Sequence, residues 1–172
     1  MCRFFSQPRR DKNDCNGVNL SKTKRICIWS GPRNISTALM YSFAQRSDTT
    51  VVDEPLYAHY LTSTHAKEYH PGAEEVIADQ ENDGRKVIEE IIFGEYQTSI
   101  VFFKHMTHHL VDLDWSFMKH TVNVILTRDP KEMLTSFINQ IPNPNLHDTG
   151  YPQHLELMKF LKEMGQHPIV ID

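Results

Sequence analysis

The sequence predicts an α/β domain, a three-layer sandwich built on a mostly parallel sheet of about five strands. Three observations point there. Short apolar or β-branched runs alternate with stretches whose apolar residues recur at helical spacing. The first run stops at a Gly-Pro turn that leads straight into a helical pattern, the strand–turn–helix order of a parallel unit. The chain has 172 residues, 40% of them hydrophobic, enough for one core and too few for two complete domains.

Residues 1–25 are polar and basic, with Arg3, Arg9, Arg10, Lys12, Lys22, Lys24 and Arg25 against Asp11 and Asp14, and read as a flexible leader. The domain is expected over 26–172. Ile26-Cys27-Ile28-Trp29 is a buried first strand closed by Ser30-Gly31-Pro32. From Ser36 to Arg46, Leu39, Met40, Phe43 and Ala44 fall on one helical face. Thr49-Thr50-Val51-Val52 forms the second strand, stopped at Asp53-Glu54-Pro55. Residues from Leu56 to about Glu81 carry no clear period. Val87, Ile88, Ile91 and Ile92 have helical spacing, and Ser99 to Phe103 has the apolar density of a third strand. Thr121 to Leu126 supplies the fourth. Asp129, Pro130 and Glu132 then stand in the order of a helix cap, a first-turn proline and a capping-box glutamate. Leu155, Met158, Leu161 and Met164 predict a last helix ended by Gly165, before a fifth strand at Pro168 to Ile171.

A net charge of -4 argues against a nonspecific electrostatic grip on nucleic acid. The three cysteines, at unrelated spacings, give no disulfide framework or zinc site. Lacking an apolar membrane span or secretory core, the chain is expected in the cytoplasm, away from membranes. His105, His108 and His109, or His65 with Glu68 and His70, match no familiar zinc spacing, so no metal is expected. Trp29 and Trp115 read as core or rim aromatics.

Two segments carry chemistry. Ser30 to Thr37 lies between strand and helix, so its amides and the helix N-terminus face one anion-sized space. Gly31 permits close backbone approach, Arg33 adds a fixed cation, and Ser36 and Thr37 offer hydroxyls. The plainer alternative is a helix start that the serine and threonine merely cap. A P-loop NTPase would place Gly-Lys ahead of the hydroxyl residue, and this turn does not. The second segment, Thr127 to Ser136, runs from a strand end into a capped helix. Arg128 and Ser136 could hold a second phosphate if the strand brings the guanidinium back over the helix; otherwise Arg128 pairs with a surface carboxylate and Ser136 is an ordinary helix residue.

Together these segments resemble the sulfotransferase superfamily, a branch of the P-loop NTPase-like fold. Pro32-Arg33-Asn34-Ile35-Ser36-Thr37 is loosely similar to the family's first phosphosulfate loop. Arg128, Pro130 and Ser136 match its later motif of arginine, any residue, proline, five residues and serine. The local likeness is to soluble sulfotransferase-like proteins sometimes labelled branched-chain-aminotransferase-like, although no pyridoxal phosphate lysine site is recognisable. The resemblance implies the donor 3'-phosphoadenosine 5'-phosphosulfate, with Gly31, Arg33, Asn34, Ser36 and Thr37 at its 5' end and Arg128 and Ser136 on its 3'-phosphate. It implies transfer of a sulfonate to a hydroxyl or amine of a small-molecule or carbohydrate acceptor. A sulfonate carries less charge than a terminal phosphate, so arginine, lysine and amides can serve without a metal. Lys104 is expected to support charge on the bridging oxygen, with either Glu54 or His105 as the base. Family members continue past the fifth strand, so the resemblance also implies a chain that stops short at its C-terminal end. The alternatives are a noncatalytic nucleotide- or phosphate-binding module and, further off, a small P-loop kinase.

Overall fold

The computed structural model describes residues 23–70, 72–139 and 143–172. Five strands, β1 (Lys24–Ser30), β2 (Thr49–Asp53), β3 (Ile100–Met106), β4 (Val122–Leu126) and β5 (Ile169–Ile171), form one sheet in the order β2-β3-β1-β4-β5, every pair parallel. The expected α/β class is therefore found. β1 is central and covered on both faces, which is why its sequence is an unbroken apolar run rather than an alternating one. It begins two residues earlier than that run suggests. Arg25, read from composition as part of the leader, is in the strand, and its guanidinium donates to the carbonyls of Ile92 (2.7 Å) and Gly94 (3.0 Å). The leader as far as residue 22 lies outside the described residues.

Successive side chains leave a strand on opposite faces, so each face gathers its own core. Cys27, Trp29 and Phe103 meet Leu157 and Leu161 of α6 (Tyr151–Glu163) on one side. Ile28, Phe102 and Val124 meet Met40 of α1 (Ser36–Ala44) on the other. Trp29 is wholly buried and donates its indole N–H to Asn123 Oδ1 at 2.9 Å, as a buried ring of this kind requires.

The stretch without a clear period folds as α2 (Tyr57–Ser63), a 3₁₀ turn (His65–Glu68) and α3 (Ala73–Asp79). α4 (Gly84–Lys86) runs on into a π-helix over Val87–Ile92, in which Phe93 N–H reaches the Ile88 carbonyl at 2.9 Å. α5 (Pro130–Phe137) starts as its sequence dictates, Asp129 accepting from Lys131 N–H at 2.8 Å with Pro130 at the first turn. The capping box does not form, because Glu132 turns to Arg128 instead. Gly165, at φ 79°, closes α6, with Gln166 N–H bonded to the Leu161 carbonyl at 2.9 Å. Among the described residues, no helix is long and apolar enough to cross a membrane.

From β1 the chain steps out to β2 on one side and back to β3 between them, then crosses β1 to β4 and on to β5 on the other. The direction of winding reverses at β1, and the crevice beyond its carboxyl end is where a sheet of this kind binds ligands.

Candidate functional site

The turn leaving β1 folds through two left-handed non-glycine residues, Arg33 and Ile35, both at φ 60°. Such conformations cost about 1–3 kcal/mol each and persist only where surrounding contacts enforce them. Asn34 is one such contact. Its side chain is buried, and its amide donates to the Leu126 carbonyl at 2.9 Å, tying the turn to the end of β4. Gly31 is also required sterically: a side-chain carbon there would stand 2.7 Å from the Thr149 carbonyl oxygen. Its bare backbone admits the segment entering α6.

The cap of α1 is Ile35, which has no side-chain cap bond, so Ser36 and Thr37 are first-turn residues and not caps. The unmade amides of that turn remain for an anion. They open onto a cleft of about 340 Å³ lined by Arg33, Asn34, Ile35, Ser36, Thr37, Ala38 and Arg128. The two predicted segments thus face one space. They are also bonded to each other: Arg33 Nε donates to Ser136 Oγ at 2.8 Å, and Arg128 donates to the Arg33 carbonyl at 3.2 Å. Tyr151, which the sequence reading did not single out, donates its hydroxyl to the Arg128 carbonyl at 2.7 Å and fixes the end of β4. The surface-carboxylate pairing expected of Arg128 as its plainer alternative is present, its Nε and an Nη donating to Glu132 at 3.2 and 2.9 Å. The Glu132 side chain is 65% exposed, so the pair contributes under about 1 kcal/mol. Glu132→Gln is expected to tighten binding of adenosine 3',5'-bisphosphate by about two- to fivefold at low salt, read by titration calorimetry.

One strand spacing from β1 on each step, about 5 Å, lie β3 and then β2, and there the remaining predicted residues separate. Asp53 and Lys104 are register partners. The Lys104 side chain is 7% exposed and donates to Glu54 Oε1 at 2.6 Å and Asp53 Oδ1 at 2.9 Å. Glu54 itself sits at φ 43°, its N–H on the Lys104 carbonyl at 2.8 Å. Burial acts to lower the Lys104 pKa, but the two carboxylates outweigh it and hold the ammonium protonated. Burial raises Glu54 against the opposing pull of Lys104.

His105, the neighbour of Lys104, must leave the strand on the opposite face. It is fully buried, stacked on Trp29 with ring centroids 4.3 Å apart, and neither ring nitrogen has a partner among the described residues. It faces the core and not the cleft. The following 3₁₀ turn (Thr107–His109) buries His109 between the rings of Tyr57 and Tyr60 of α2, at 4.9 and 4.8 Å.

Burial holds His105 down to about 3, His108 to about 4 and His154 to about 4, and lowers His109 strongly. Each binds its proton more weakly folded than unfolded, so unfolding takes up protons below the ordinary histidine range. Stability is expected to be level above about pH 7 and to fall steadily from about pH 6.5 towards pH 4. Thermal melts at half-unit intervals check this, and an unchanged midpoint down to pH 5 would contradict it. No group of three or more His, Cys, Asp or Glu among the described residues is arranged to hold a metal ion.

The fold and the cleft define a parallel α/β domain whose β1–α1 turn and second basic segment line one crevice. The chain belongs to the sulfotransferase domain family, whose sequence model matches residues 24–157. Branched-chain-amino-acid aminotransferase-like proteins 2 and 1 of Arabidopsis thaliana are each 39% identical to it, over 148 and 154 residues, covering 86% and 89% of this chain. The chain spans 26% and 27% of those relatives' lengths, about a quarter of each. A crystal structure of TT1252 from Thermus thermophilus superposes at a TM-score of 0.41 and 13% identity, covering 87% of this chain and 88% of that one.

Proposed function

We propose that the chain transfers a sulfonate group from 3'-phosphoadenosine 5'-phosphosulfate to a hydroxyl or amine of a small-molecule or carbohydrate acceptor. The observation that carries this reading is the single cleft onto which Arg33, Ser36, Thr37 and Arg128 open, with Ser136 bonded to Arg33. Two cations, two hydroxyls and a row of helix amides are the donor set a nucleotide with phosphate at both ends requires. The donor supplies the activated sulfonate; the protein supplies position and charge.

In this reading Ser36, Thr37 and the α1 amides hold the 5' end, and Arg128 with Ser136 holds the 3'-phosphate. Glu54 takes the proton of the acceptor hydroxyl as that oxygen bonds to sulfur. Lys104 has three N–H groups, two of them engaged with carboxylates, and the third is free to meet the bridging oxygen as its bond to sulfur breaks. Bisphosphorylated adenosine and the sulfated acceptor result. Glu54 serves as base in preference to His105 because His105 is enclosed by the core, while the Glu54 side chain keeps 21% of its surface. The reading has the chain working in the cytoplasm without metal, nucleic acid or membrane, in keeping with its acidic net charge.

Incubation with radiolabelled donor and a panel of phenols, alcohols, amines and sugars tests the proposal. Metal-independent label transfer that bisphosphorylated adenosine inhibits is expected. Binding of that nucleotide without transfer to any acceptor would favour a noncatalytic module, and a requirement for magnesium-ATP would favour a kinase.

A further inference from the structure

Asp53 enters none of the steps above, yet it makes one of the two bonds that hold Lys104. Its oxygen stands 2.9 Å from the ammonium, against 2.6 Å for Glu54, and the three charges cluster towards the carboxyl ends of two neighbouring strands. Exposure rises in order, 7% for the lysine side chain, 21% for Glu54 and 35% for Asp53. Neither carboxylate is placed there by chance of rotamer. β2 pairs in register with β3, so Asp53 lies opposite Lys104, and the left-handed turn at Glu54 brings the next residue's carboxylate back onto the same nitrogen.

We propose that Asp53 is a positioning residue of the transfer site: by sharing the Lys104 ammonium with Glu54, it fixes where the lysine's third N–H points and leaves one Glu54 oxygen free to take a proton. This rests on the reading of Glu54 as the base. With Asp53 absent, the ammonium has a single carboxylate to follow and turns fully onto Glu54, so that base and lysine neutralise each other. The second negative charge also keeps Glu54 basic, because two carboxylates close together resist ionising at once. Of the nearby titratable groups, His105 leaves β3 on the opposite face and His109 lies between the rings of Tyr57 and Tyr60; burial first, and the lysine's charge second, lower both and keep them neutral through the working range.

The test compares Asp53→Asn with Asp53→Glu in the intact chain. The Glu54 carboxyl is followed by carbon-13 NMR through a pH titration, alongside kcat and the Kd of adenosine 3',5'-bisphosphate. Asp53→Asn is expected to move the Glu54 midpoint to lower pH and to lower kcat about three- to tenfold, since a weaker base transfers protons less well. The bisphosphate Kd should change less than about twofold, because Asp53 is outside the cleft that holds it. Asp53→Glu, which keeps the charge, should restore the midpoint. A Glu54 titration unmoved by Asp53→Asn overturns the proposal, as does a loss of kcat matched by loss of nucleotide binding. Should the wild-type chain transfer no sulfonate while the Glu54 midpoint still moves as described, the functional reading fails and the control of Glu54 by Asp53 stands. If Asp53→Asn does not fold, Asp53→Ser is measured in its place against the same two outcomes.

Discussion

Glu54→Gln is expected to lower kcat for sulfonate transfer by about 10²- to 10³-fold while leaving the affinity for adenosine 3',5'-bisphosphate nearly unchanged. The glutamine keeps the size of the side chain and an oxygen for Lys104 to bond, so the fold and the cleft survive. It removes the capacity to accept a proton and one of the two negative charges on Lys104, the Asp53 carboxylate keeping the other. Because burial raises Glu54 above its ordinary range, the wild-type profile of kcat against pH should lose activity on its acid side at a higher pH than an exposed glutamate would give. The sign follows directly: the working form is the deprotonated one, and it is lost as pH falls through a raised pKa. In Glu54→Gln that limb should vanish from the residual activity. If kcat is retained, Glu54 is not the base.

The second large effect belongs to Arg128. Charge-assisted bonds contribute roughly 1.5–3 kcal/mol, so Arg128→Ala should weaken the bisphosphate by about 10- to 100-fold. The adenosine 5'-monophosphate, which lacks the 3'-phosphate, should be affected far less. Arg128→Lys preserves the charge but not the planar fork, and should recover only part of the loss. Equal weakening of both nucleotides would place Arg128 away from the 3'-phosphate. Its bond to the Arg33 carbonyl is the reason to measure folding alongside, since the substitution also removes one tie on the turn.

Much of this was legible in the residues because the decisive signals are local. An unbroken apolar run ending at Gly31-Pro32 required a central strand and a sharp exit, and Asp129-Pro130 required a helix start. What local pattern could not give was where long side chains go. The spacing of Arg128 and Ser136 could not tell that the hydroxyl accepts from Arg33 instead of standing beside Arg128, because that depends on how the β1 turn lies over α5. Glu132 fitted a capping box and was drawn off by the guanidinium one turn back, a stronger partner than a backbone amide. Glu54 and His105 looked equally eligible as the base. Strand alternation, with Lys104 assigned to the α1 side, sends His105 into the core beside Trp29. Asp53 was readable only as the polar stop of a strand; its bond to Lys104 needed the register of β2 against β3. The α2 to α3 region gave no period because its rings, Tyr57 and Tyr60, pack onto His109 rather than along one helical stripe.

An NMR titration of the isotope-labelled chain with adenosine 3',5'-bisphosphate tests most directly whether the two basic segments hold a single ligand. The backbone amides of Ser36, Thr37 and Ala38 and the side-chain N–H of Arg128 are expected to shift together, along one saturable curve of one nucleotide per chain. Shifts confined to one segment, or two segments saturating at different concentrations, would contradict it.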